Sequence, residues 1–314
     1  RKVNMCEKIS YIYVSNFSFQ FLNKTKSIEV IESNFLAIEN ILNEYRSWDG
    51  FDIKCSSDIL EYDPLNGLES LEYNLLSAAD CDDNLFGYYL TLLEKTIGPY
   101  KSKVYTDGVI KKIQCQNITS FPRHYAYEFN STQWPNINIS YNTKHCKDTL
   151  NKNAEFIEMN HNGKDDFIDL CIVNFHNLNF HENIKNTLDT IKNGTYDDYK
   201  KWILLCLNTL NQSYNFISND PQKNEDDLNP ISDYTTSLGK HFSCTRQGKN
   251  KPFFIFDGDP EEVNCEYHFK INWTDNNQRL NKEDYLRIYF GLKFDEVKNR
   301  KSIKVAHIGC HYPY

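Results

Sequence analysis

The strongest periodic signal in the chain lies between Tyr196 and Phe216. Tyr199, Trp202, Ile203, Cys206, Leu207, Leu210 and Tyr214 recur at the i, i+3, i+4, i+7 spacing of one helix face, which predicts an amphipathic helix. Thr195 with Asp198 three residues on forms a capping-box start. Glu182 to Ile191 predicts a shorter helix, separated from the first at Asn193-Gly194. Another helical stretch runs from about Leu68 to Ile97, interrupted near Cys81 and closed by Gly98-Pro99. Ile28 to Tyr45 fits two patterns: its apolar positions follow helix spacing, while SIEVIE and FLAIE also suit a hairpin, and periodicity favours the helix. Lys8 to Phe21, Lys103 to Cys115 and Asp166 to Phe175 are rich in β-branched or aromatic residues and predict strands. Ser218 to Gly239 is polar and acidic with two prolines, which reads as a linker. His241 to Tyr314 holds strand-length runs split by polar turns and reads as all-β. The expected organisation is a unit over 1–217, a linker over 218–239 and a β domain over 240–314. Its fold class is α+β, an antiparallel sheet covered by helices and then a sandwich.

Composition narrows the function classes. A formal net charge of −8 opposes a nucleic-acid partner, which selects a basic face. The aromatic share of 14% supplies enough large side chains for a packed core and argues against disorder. Ten cysteines, at Cys6, Cys55, Cys81, Cys115, Cys146, Cys171, Cys206, Cys244, Cys265 and Cys310, are scattered without any C-x-x-C spacing. That usage points to disulfides in an oxidising compartment, and the connectivity is not readable from sequence. Eight N-x-S/T sequons, at Asn16, Asn23, Asn117, Asn130, Asn138, Asn193, Asn211 and Asn272, agree with it. The chain is therefore expected to be an extracellular or ER-lumenal glycoprotein, secreted or the ectodomain of a type I membrane protein. Its wealth of Asn, Lys, Ile, Tyr and Phe suggests an AT-rich genome.

Several segments together resemble major histocompatibility complex (MHC) class I heavy chains. Asn162 to Leu170, NGKDDFIDL, is similar to a strand of the family's second platform domain, and Ile184 to Leu207 is similar to the broken helix that follows it. DNLFGYY, Asp83 to Tyr89, resembles the end of the first-domain helix, and Cys115 falls where the family places its second-domain strand cysteine. Cys265, Trp273 and Cys310 resemble the cysteine pair and core tryptophan of a C1-type immunoglobulin domain. The resemblance implies a class I-like platform followed by an immunoglobulin C1-like sandwich, with Cys265 bonded to Cys310. Departures carry weight as well. The family's helix cysteine falls on Tyr196, the Cys265-to-Trp273 interval is short for an immunoglobulin domain, and only Tyr88 matches the residues that clamp peptide ends. Tyr199 and Ile203 stand where the family has Trp and Tyr. Peptide presentation is thus not expected. The implied role is a non-enzymatic viral immune-evasion ectodomain, of the kind roseoloviruses and poxviruses encode, with a host immune-surface protein as partner: a class I MHC molecule, a killer-cell receptor or a cytokine. Recruitment of β2-microglobulin and homodimerisation stay open. The rival reading is a protozoan surface adhesin built of disulfide-rich β-sandwiches.

Candidate chemistry is sparse. His307 and His311 flank Cys310, but an extended strand would hold them about 13 Å apart, too far for one metal ion. His176 and His181 sit in a loop-like composition and read as surface residues. Asp257-Gly258-Asp259 suits a turn better than a cation or sugar-nucleotide site. Trp134 reads as core, because glycans at Asn130 and Asn138 would shield its surroundings. No catalytic, metal or cofactor residues are expected. A glycan at Asn211 is expected on the solvent side of the 196–216 helix, which leaves the sequon-free segments 27–115, 139–192 and 275–314 for a binding surface, the helical 65–97 region first.

Overall fold

The computed structural model describes residues 9–48, 50–63, 69–117, 120–130, 134, 136–238, 242–248, 250–296 and 298–312, so Cys6 lies outside the described residues. The chain is mixed α and β, and it divides into two compact units at Lys152/Asn153 rather than at 217.

The first unit contains β1 (Ser10–Val14), α1 (Ile28–Arg46), β2 (Phe51–Cys55), α2 (Leu71–Ala78), α3 (Asp83–Ile97), α4 (Thr106–Gln114), β3 (Arg123–Tyr127), β4 (Asn142–Thr143) and the start of α5 (Cys146–Asn160). Its four strands run in the order β2-β1-β3-β4, and every pair is parallel. This corrects the expected antiparallel platform. Parallel neighbours need a crossover, and here the helices supply it. The 28–45 segment is a helix: Ser27 caps α1, and Ile31, Phe35, Ile38, Leu42 and Tyr45 form its buried stripe. The break near Cys81 is also present, with Asp80 and Cys81 at positive φ between α2 and α3. The segment 103–115, expected as a strand, holds helix α4 instead. Val109 and Ile113, one turn apart, pack on Tyr13, Phe17, Ala126 and Trp134, while the lysines between them face outward. Cys115 ends α4, exposed, away from any strand position.

The second unit contains the rest of α5, α6 (Gly163–Asn174), β5 (Leu178–Phe180), α7 (Ile184–Thr187), α8 (Lys200–Ser213), α9 (Asn224–Leu238), β6 (Phe242–Arg246), β7 (Phe253–Phe254), β8 (Val263–Asn264), β9 (Tyr267–Ile271), β10 (Leu286–Asp295) and β11 (Arg300–Gly309). The predicted capping box of Thr195 and Asp198 is formed, one short 3-10 turn ahead of α8. The segment 166–175, expected as a strand, is α6. Asp165 and Asp166 favour the positive end of a helix, and Phe167, Ile168 and Cys171 form its buried face. Five strands make one sheet in the order β5-β11-β10-β9-β6, beside a separate two-stranded hairpin of β7 and β8. Because β5 pairs parallel to β11, the C-terminal strands cannot be cut from the chain at 240. Instead of a two-sheet sandwich, the sheet carries helices. Cys244, Phe269, Ile288 and Ile308 lie in one row, and Thr245, His268, Tyr289 and His307 form the neighbouring row on the opposite face, after which the β10–β11 register shifts between Tyr289 and Phe290.

The expected linker over 218–239 is largely helix α9. Its inward stripe is Asp227, Ile231 and Thr235, and Asp227 forms an ion pair with Lys301 of β11 that is almost fully buried. A stripe with a single large apolar residue gives no amphipathic signal, which explains the misreading. Cys265 and Cys310 also stand apart. The Cys265 Sγ approaches Gly291 to 3.1 Å of where a Cβ would sit, whereas Cys310 follows Gly309, which pairs with Arg287. The four-residue offset along β10 is about 14 Å, beyond the ~7 Å Cα separation that a disulfide spans. Trp273 is only half-buried, at an isolated bridge to Arg279.

Candidate functional site

In open parallel sheets, ligands bind at the carboxyl ends of the strands, near the point where the strand order reverses. That reversal falls between β1 and β3 here. The chain closes it itself with the 3-10 segment Asn16–Lys24. Asn16 Nδ2 donates to the Tyr62 carbonyl at 3.1 Å, Ser18 Oγ donates to the Tyr127 carbonyl at 2.9 Å, and Phe17 packs on Tyr62 and Trp134. No glycine follows β1 to let a phosphate approach the backbone.

One strand further along, the carboxyl edge stays open. A crevice of about 520 Å³ is lined by Glu128, Ile139, Asn142, Lys144, His145, Asp148 and Lys152. Glu128 directly follows β3 and is buried; its backbone N–H donates to the Thr143 carbonyl at 2.8 Å and so extends the pairing with β4. Lys144 and His145 follow β4 and are exposed. Asp148 and Lys152 stand one turn apart on α5, 3.7 Å from each other. Asp148 accepts the Lys144 backbone N–H at 3.2 Å, while Lys152 is held by the Ile139 and Asn142 carbonyls. Asp148 and Lys152 are therefore committed to the frame, which leaves Lys144, His145 and the Glu128 carboxylate for a ligand. Asn142 Oδ1 is buried without a hydrogen-bond partner among the described residues, an unmet acceptor in the same wall. Beneath the crevice, Tyr45 Oη lies 2.9 Å from both the Thr143 and Thr149 hydroxyls, which are 2.6 Å apart. Burial raises the Tyr45 phenol well above its ordinary pKa, so this support stays neutral.

The second unit gathers histidines that the sequence left unconnected. His268, Tyr289 and His307 stand side by side across β9, β10 and β11, each about 2% exposed or less. Ring centroids lie 5.0 Å apart for His268 and Tyr289, and 5.8 Å apart for Tyr289 and His307. The strand ends at Gly309, so His311 turns back and reaches the same tyrosine at 6.5 Å, which an uninterrupted strand would not allow. Burial pushes His268 and His307 down to about 4, so both are neutral at pH 7. Among the described residues, no three His, Cys, Asp or Glu side chains gather as metal ligands. His181 is not a surface residue: its ring packs edge-on against Phe254 and Phe256.

The remaining sequence candidates separate clearly. Gly258 takes a positive φ of 80° in a turn, and Asp259 forms ion pairs with Lys304 at 2.9 Å and Lys293 at 3.4 Å. Trp134 is core, its Nε1 donating to the Tyr127 carbonyl at 2.9 Å. Of the sequons, Asn23, Asn117, Asn130, Asn138 and Asn193 are exposed. Asn16 and Asn211 are buried, and Asn272 is half-buried. Asn211 was expected on the outer face of its helix, but its Oδ1 accepts the Asn177 N–H at 3.2 Å. No disulfide joins any two of the nine described cysteines in this structure; Cys55, Cys146, Cys171, Cys206, Cys244 and Cys265 are buried, Cys81 and Cys115 are exposed, and Cys310 is intermediate. None of the crevice residues was singled out from sequence. They come from three short segments without a shared motif, and the one local hint is an acidic residue ending the aromatic run RHYAYE. Comparison with protein-family models, with curated proteins and with solved structures found no match.

Proposed function

We propose that this chain is an extracellular N-glycosylated binding protein whose first unit holds a small zwitterionic ligand in the crevice at the carboxyl ends of β3 and β4. The observation that carries this reading is the crevice itself, whose lining includes exposed Lys144 and His145 together with a buried carboxylate, Glu128, and an unmet acceptor, Asn142. An anionic group would sit against Lys144, His145 and the positive end of α5. An ammonium or hydroxyl group would face Glu128 and Asn142. The volume suits a metabolite-sized ligand. Calorimetric titration of the secreted protein with free amino acids and amino sugars tests it. Binding that Glu128→Gln and Lys144→Glu each weaken at least tenfold supports the reading, and no binding by any of these compounds overturns it. Glycans are expected at Asn23, Asn117, Asn130, Asn138 and Asn193.

A second reading keeps a host immune protein as the partner but gives up the class I-like groove, whose antiparallel platform and Cys265–Cys310 bond the fold lacks. It is favoured by Leu36, Tyr73 and Tyr88, large side chains left exposed on α1, α2 and α3 in a region free of sequons. Capture of class I molecules, a killer-cell receptor or a cytokine from lymphocytes, abolished by Tyr73→Glu with Tyr88→Glu, would support it. Capture that is unaffected by those changes would rule this face out.

A further inference from the structure

A cavity of about 410 Å³ lies in the second unit, where the start of α9 meets the sheet. Asn224 and Asp226 line it from α9, Asn264 and Glu266 from the β8–β9 segment, and Leu292 from β10. Two amides in its wall have their direction fixed by their partners. Asn224 Nδ2 donates to the Leu292 carbonyl at 3.2 Å, and Asn264 Nδ2 donates to the Glu266 carboxylate at 2.9 Å. Burial opposes the charge on Glu266, but Arg246 at 2.8 Å and Lys251 at 3.1 Å outweigh it and keep the carboxyl below its ordinary pKa. Both partners therefore only accept, which makes the other end of each amide a carbonyl oxygen. Those two atoms, Asn224 Oδ1 and Asn264 Oδ1, are buried without a hydrogen-bond partner among the described residues.

Charge narrows what can meet these oxygens. The Glu266 carboxylate is already neutralised by its two cations, and the positive end of α9 together with exposed Lys223 opposes a metal ion or an organic cation. Two carbonyl oxygens oppose an anion. An uncharged polyhydroxyl compound meets both conditions, because each hydroxyl donates one hydrogen bond and accepts others. It can donate to Asn224 and Asn264 and accept from the first-turn N–H groups of α9, whose helical bonding begins with the Asp227 N–H to the Lys223 carbonyl at 3.2 Å. We propose that this cavity binds a neutral sugar, held through the side-chain carbonyls of Asn224 and Asn264. The site belongs to the second unit alone and does not depend on the zwitterion reading of the first.

Titration of the intact chain with the methyl glycosides of glucose, galactose, mannose and N-acetylglucosamine tests the proposal, followed by saturation-transfer NMR. The expected result is binding of at least one of them, weakened about tenfold or more by Asn224→Leu and by Asn264→Leu. Amide hydrogen exchange of the unaltered chain gives a second reading that needs no variant to fold: the bound glycoside slows exchange within 221–226 and 264–267. Calcium chloride and sodium phosphate are titrated alongside. Binding of none of the four glycosides overturns the proposal, as does glycoside binding that both asparagine variants leave intact or that protects only other segments. Affinity for calcium or phosphate that Asn264→Leu abolishes, without affinity for a glycoside, makes the cavity an ion site and overturns it as well.

Discussion

Replacing Lys301 with methionine probes the most deeply buried charge pair in the second unit. The Lys301 side chain is 0% exposed and that of Asp227 is 4%, with Nζ and Oδ2 2.5 Å apart. Methionine keeps much of the length and removes the cation. Asp227 then keeps one donor, the Ser218 backbone N–H at 2.6 Å on its other oxygen. Removing one partner of a buried pair costs about 3–5 kcal/mol, because the remaining charge has lost both water and counter-ion. Protonation sets a ceiling. An ordinary carboxyl group, with pKa about 3.9, costs about 4 kcal/mol to protonate at pH 7, and about 1.5 kcal/mol at pH 5. The expected loss for Lys301→Met is thus about 3–4 kcal/mol at pH 7, shrinking to about 1.5 kcal/mol or less at pH 5. Adding Asp227→Leu should restore most of it, because the orphaned carboxylate is gone. Urea unfolding followed by the fluorescence of Trp202 and Trp273, both in the second unit, measures all three variants. A loss below about 1 kcal/mol at pH 7, or one that does not change between pH 7 and pH 5, would refute the buried pair as the reason α9 folds where it does.

Three further outcomes follow from the same geometry. His268 and His307 titrate near 4 in the folded chain and near 6.5 when unfolded, so the unfolded state binds more protons between those values and stability falls as pH drops through that window. Asp275, pushed up to about 6 by burial, works in the opposite sense and offsets part of this loss; a flat profile of urea midpoints, or one that His268→Gln with His307→Gln does not flatten, contradicts it. Tyr45→Phe strips the shared hydroxyl from Thr143 and Thr149 and should cost about 1–2 kcal/mol by urea unfolding; an unchanged midpoint would mean the hydroxyls are satisfied without it. Glycopeptide mapping should find Asn16 and Asn211 bare, because a glycan on either would have to occupy the packed interior, and a sugar at Asn211 in folded protein would contradict its contact with Asn177.

What could be read along the chain depended on how each element earns its burial. Helices α1 and α8 carry full apolar stripes, so spacing alone located them, as did the Thr195–Asp198 capping box. Helices α4 and α6 read as strands in the sequence because Val, Ile and Phe suit both states in short runs. Their buried positions, Val109 with Ile113 and Phe167 with Cys171, are one turn apart, but each run is too short for period 3.6 to stand clear of period 2. Helix α9 was hidden for another reason. Its inward anchor is Asp227, and what makes that carboxylate a core residue is a lysine 74 positions away. The crevice was equally out of sight, since Glu128, Lys144 and Lys152 are ordinary surface letters until β3 and β4 stand side by side.

Short stretches of the chain carry the mixture of helices and strands and aromatic core residues such as Trp134. The parallel first sheet, the pairing of β5 with β11, the separation of Cys265 from Cys310 and the inward face of Asn211 emerge only in the folded chain. The division has one physical cause. Periodicity and capping are interactions among residues three or four positions apart, and they leave their mark in any short window. Strand order and register are set by which distant surfaces bury the most apolar area together, and no window of the chain contains both of those surfaces.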